Sequence, residues 1–94
     1  MSAEDEKQAQ IDEENRCIRR LRILTDLVKA VLAKDPTLSI EEAVALIRQT
    51  RNAVMRAFPG KDSAYEIIYA PKFERILKER FGEKAVEILH GSIH

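Results

Sequence analysis

Ninety-four residues fit one domain, and 45% hydrophobic with 34% charged residues exclude both an extended disordered chain and a membrane-spanning protein. Sixteen basic and sixteen acidic side chains leave no formal net charge, which removes the global electrostatic argument for nucleic acid or an anionic membrane as partner. The single Cys17 cannot close an internal disulfide and the acidic N-terminus lacks an apolar signal core, so a cytoplasmic setting is expected.

Residues 1–10 are polar and are expected to form a disordered arm, leaving 11–94 as a single helical domain. Charge is segregated early: positions 1–15 carry six acids against Lys7, and 16–34 carry six bases against Asp26. Within a helix, Asp12 and Glu13 both reach Arg16, at i,i+4 and i,i+3. The first helix is expected from about Asp12 to Lys34, because Pro36 disfavours helical geometry at Asp35. Its wheel holds one stripe of Cys17, Leu21, Leu24, Val28, Val31 and Leu32 and a second of Ile23, Leu27 and Ala30. Only a narrow strip through Arg19, Arg22, Asp26 and Lys29 is plainly polar. About two-thirds of the girth therefore needs cover, more than a bundle of short helices supplies to one chain. That surplus predicts a homodimer about a two-fold axis, with Ile23, Leu27, Leu21, Leu24 and Val28 as self-association residues. Ile11, Ile18, Leu21, Val28 and Leu32 sit near a heptad, but Glu14 and Thr25 interrupt it and a long coiled coil is not expected.

Ser39-Ile40-Glu41-Glu42 has capping-box spacing and fixes the start of a second helix, with Leu38 placed to staple onto Ala43. Ile40, Ala43, Val44, Ile47, Val54 and Phe58 share one face, and Pro59-Gly60 ends the helix in a type II turn. Arg51 projects near the middle of that apolar face and needs a partner or a bend. Read with a bend, Glu42 to Arg56 resembles the helix-turn-helix of excisionase-type and mercury-regulator-type DNA-binding proteins, with Thr50 capping a recognition helix. The resemblance implies DNA contacts by Arg48, Arg51, Asn52 and Arg56, although Arg48 stands where that pattern has glycine. Whether 46–50 is a turn or helix separates the two readings.

Ser63 and Glu66 repeat the capping-box spacing and predict a third helix from Ala64. Pro71 lacks a donor and collides with the Ile67 carbonyl, which predicts a kink or break between Tyr69 and Lys72. Tyr65, Tyr69 and Phe73 bring aromatics to that kink as core or as a groove for a peptide or small apolar ligand. Phe73, Ile76, Leu77 and Phe81 continue a stripe to Gly82, and a short last helix spans Glu83 to His90. The expected fold is all-α: a small bundle of four to five helices with a long first helix, dimerising through it.

Site chemistry is sparse. Gly60-Lys61 lacks the preceding glycine and the following Ser or Thr of a phosphate loop. His90 and His94 lie at i,i+4 with Glu87 one turn back, two ligands and a stretch, which falls short of a closed metal site. No nucleophile, base and acid fall into an arrangement, so neither an enzyme nor a cofactor or metal is expected. The expected function is a structural or regulatory protein-protein interaction module, a homodimer with a possible further protein partner and no membrane association. Nucleic acid enters only under the helix-turn-helix reading.

Overall fold

Helix α1, Ala3–Lys34, runs for 32 residues in the computed structural model, which describes residues 3–91. At about 1.5 Å per residue it is about 48 Å long, most of the 56 Å long axis of the molecule. It starts well before the expected Asp12, because a polar segment need not be non-helical: Glu, Gln, Lys and Ala are strong helix formers and no Gly or Pro intervenes. Glu4, Asp5 and Glu6 in the first turn favour the positive end of the helix dipole. Gln8 donates to Asp12 at 3.0 Å, and Arg16 lies 3.7 Å from Glu13. Met1 and Ser2 of the expected arm lie outside the described residues. Every residue from Ala3 to Arg16 is exposed, whereas Leu21, Thr25, Val28 and Leu32 are buried at i, i+4, i+7 and i+11. The polar Thr25 fits that stripe because its hydroxyl donates to the carbonyls of Leu21 at 2.9 Å and Arg22 at 3.0 Å.

Beyond α1, the Asp35 carboxylate accepts from the Thr37 hydroxyl at 2.7 Å and the Thr37 N–H at 2.9 Å. These bonds to the charged form hold the Asp35 carboxyl below its ordinary range. Helix α2, Ile40–Ala57, begins with the expected capping box: Glu42 N–H donates to the Ser39 hydroxyl at 3.1 Å and Ser39 N–H to the Glu42 carboxylate at 3.0 Å. It is uninterrupted through 46–50. The turn after it closes through Lys61 N–H to the Phe58 carbonyl at 3.1 Å, with Gly60 at φ +82°, the positive value a type II turn needs at its third residue.

The chain from Asp62 to Phe81 is one helical run in three parts: α3, Asp62–Ala64, a π segment, Tyr65–Tyr69, and α4, Ala70–Phe81. The expected Ser63–Glu66 capping box is absent; the run starts two residues earlier, at Asp62, with Lys61 as an N-cap that makes no side-chain bond, and Glu66 turns to Arg51 instead. Pro71 neither breaks nor ends the helix. Ala70 N–H donates to the Tyr65 carbonyl, an i to i−5 bond, so the widened turn absorbs the clash that proline would make in an α-turn. The widening also resets the register. Twelve steps of α-helix would put Tyr65 and Leu77 about 120° apart, and one extra residue in the turn brings them within about 20°. Tyr65, Phe73 and Leu77 accordingly share the core, with the two rings 6.0 Å apart and tilted by 54°, while Ile67 is turned out to solvent. Tyr69 is half-buried, with the Lys72 ammonium 6.0 Å from its ring centroid.

Gly82, at φ +90°, joins α4 to the last helix, α5, Glu83–Leu89. The core gathers Leu21, Val28 and Leu32 of α1, Ala43, Val44, Ile47 and Val54 of α2, Tyr65, Phe73 and Leu77 of the third run, and Ala85 of α5. Helix α4 runs alongside α1 in the same direction: Lys61 pairs with Glu14 at one end, and Arg80 donates to the Leu32 and Asp35 carbonyls at the other. The described residues are all helix, turn or connection, with no strand among them.

Candidate functional site on the outward face of the first helix

The body takes up one stripe of α1 and leaves the other. Leu21 and Val28, expected at the self-association surface, are 2% and 5% exposed and belong to the chain's own core. Two adjacent stripes on a wheel look alike; the packing of α4 and α2 against α1 chose this one. Leu24 is half-buried along the seam. Ile23 and Leu27 point away from the body, 62% and 63% exposed. At about 100° per residue, Arg16, Arg20, Ala30 and Lys34 extend their line in both directions. Cations therefore flank the apolar centre, and Asp26 and Lys29 pair beside it at 3.0 Å.

Surface area gives the scale of what is uncovered. A folded monomer of 10.8 kDa is expected to expose roughly 5,500 Å², and this chain exposes 6631 Å². The excess, about 1,100 Å², exceeds the roughly 800 Å² per partner of a standard protein-protein interface. The radius of gyration agrees: 16.3 Å against about 12 Å for a compact chain of this length. Both trace to the free half of α1, which also carries exposed Ile11 and Ile18.

The residues expected to read DNA have other occupations. An unbroken α2 leaves no turn to set a recognition helix apart, which corrects the helix-turn-helix reading. Arg48 donates to the carbonyls of Ile88 at 2.7 Å and Leu89 at 3.1 Å, capping the C-terminal end of α5 with a cation. Arg51 finds the partner that its place on α2 calls for, pairing with Glu66 at 2.7 Å. Asn52 and Arg56 are exposed beside Met55 over a shallow depression. Elsewhere, Cys17 is a half-buried free thiol. His90 lies 2.6 Å from Glu74. His94 lies outside the described residues, among which no group of three or more His, Cys, Asp or Glu could hold a metal ion. No described helix is long and apolar enough to cross a membrane.

Sequence reasoning missed the long-range polar ties made within the chain by Arg80, Glu74 and Arg48. Their partners lie 48, 16 and 40 positions away, beyond any helical spacing rule. No protein-family model matches the chain, and no curated protein or solved structure is significantly similar to it.

Proposed function

We propose that the chain is a structural or regulatory interaction module that works as a homodimer, pairing along the outward face of α1 through Ile23 and Leu27. The observation that carries this reading is that Ile23 and Leu27 stand 62% and 63% exposed on the face of α1 that the body leaves uncovered. A two-fold axis between Ile23 and Leu27 of antiparallel helices sets Arg16 beside the partner's Lys34, so the basic segments 16–34 face each other and the acidic segments 3–15 project past the ends of the contact. A dimer of this kind leaves α2 and the π segment free for a further protein in the cytoplasm.

Light scattering on the purified chain tests the proposal. Wild type at a concentration on the order of 100 μM is expected at twice the 10.8 kDa of one chain. Leu27→Glu places a carboxylate in the apolar centre and is expected to scatter as a monomer with its thermal unfolding otherwise intact, since Leu27 is not in the core. Association is also expected to strengthen as salt screens the facing basic side chains. A wild type that is monomeric throughout removes the proposal.

A further inference from the structure

Between α2, the π segment, α4 and α5 lies a cleft of about 220 Å³ lined by Ile47, Arg48, Arg51, Tyr65, Glu66, Ala70, Glu74, Leu89 and His90. Its charged residues are already served: Arg51 by Glu66, Glu74 by His90, and Arg48 by the last carbonyls of α5. One lining group is not. Tyr65 is 1% exposed and its hydroxyl is the buried side-chain polar atom with no partner among the described residues. An unpaired buried donor costs about 1–3 kcal/mol, and folded proteins keep few of them. Tyr65 lines the cleft together with Arg51, Glu66 and Glu74. The space is more than ten times the roughly 10–15 Å³ that a single water requires, so one water does not fill it.

We infer that this cleft binds a small uncharged molecule presenting a carbonyl oxygen on an apolar body, the oxygen accepting from the Tyr65 hydroxyl and the body lying against Ile47, Ala70 and Leu89. Neutrality follows from the paired rim, because a charged ligand would have to break an ion pair that the chain makes within itself. An acceptor is required because the phenol stays protonated: burial pushes its pKa up to about 12, with Glu66 adding to the shift, so it offers a proton at any physiological pH. Entry is on the side of the Arg51–Glu66 pair, whose side chains are 54% and 46% exposed and can swing aside. The site is separate from the outward face of α1, and its test does not depend on dimerisation.

The experiment is an amide-resolved NMR titration with cyclohexanone and, as the charged counterpart, cyclohexanecarboxylate. Cyclohexanone is expected to shift the amides of Ile47, Tyr65, Ala70 and Leu89 saturably, with a dissociation constant on the order of millimolar for so few atoms. Tyr65→Phe keeps the ring and is expected to weaken binding roughly five- to tenfold for the one lost hydrogen bond. Ala70→Leu fills the space and is expected to abolish binding while the spectrum stays dispersed. The inference is overturned by non-saturable shifts, by equal affinity in Tyr65→Phe, by tighter binding of the carboxylate, or by a Tyr65 hydroxyl bonded in solution to Glu66 or Glu74.

Discussion

Arg80 holds two helices in register, and its removal gives a sharp measure of that role. Its guanidinium donates to the Leu32 carbonyl at 2.7 Å and to the Asp35 carbonyl, groups that the end of α1 leaves without helical partners, and its carbon lies 4.9 Å over the Phe81 ring. A cation at a helix C-terminus adds a favourable dipole term. Breaking a hydrogen bond to a charged group costs about 1.5–3 kcal/mol, and the partly exposed site lets water replace part of the pair, so Arg80→Met is expected to lose about 2–3 kcal/mol. Unfolding entropy of about 2.1 cal/mol/K per residue turns that into a Tm lower by roughly 10–15 °C for a chain of this size. Arg80→Lys offers one point charge in place of the two-pronged fork and should recover no more than half. Urea unfolding at equal protein concentration measures all three, with the slope unchanged. Arg80→Met within about 0.5 kcal/mol of wild type would show that the two bonds contribute nothing net, and Arg80→Lys equal to wild type would show that only charge matters.

Ser39→Ala removes the hydroxyl that accepts from Glu42 N–H and is expected to cost about 1 kcal/mol, read as a lower urea midpoint; an unchanged midpoint means that water caps α2 as well as Ser39 does. Alkaline stability reports on Tyr65. Its folded-state pKa of about 12 lies above the ordinary value of 10.0, so its contribution is whole below pH 10 and is lost as pH rises toward 12, about 2–3 kcal/mol at 1.36 kcal/mol per unit. Tyr65→Phe should be neutral or stabilising at pH 7 and flatten that alkaline fall, measured as the difference from wild type; parallel curves would show that the phenol ionises freely in the fold.

Signals confined to a few residues were legible. Ser39 with Glu42 and Pro59 with Gly60 each contain both halves of their own geometry, and both stand as read. Pro71 was legible as a disturbance but not as its outcome, because the clash can be relieved by a break, a kink or a widened turn. Burial of Tyr65 beside Phe73 and Leu77 favours the widened turn, and that preference comes from α1 and α2, not from the segment itself. The same limit governs the candidate surface. A helical wheel shows that α1 is apolar over most of its girth, yet Leu21 and Ile23 are equivalent until Phe73 and Leu77 arrive on one side. Arg51 looked misplaced on α2 because its partner, Glu66, lies in a different helix.

These features divide the molecule into two regions of unequal support. From Leu21 onward α1 is held by the core, whereas every residue from Ala3 to Arg16 is exposed and Glu14 pairs with Lys61. Helices shorter than about 12–15 residues are marginal in water on local terms alone, and an exposed ion pair adds little. In the proposed dimer, pairing at Ile23 and Leu27 stiffens the part of α1 from which residues 3–16 continue, so the segment with least support inside one chain propagates from a turn that association holds. Formation of the free half of α1 and pairing of the chains then become linked equilibria: whatever weakens one weakens the other. Leu27, at a site far along the helix, should thereby influence the helicity of residues 3–16 without touching them.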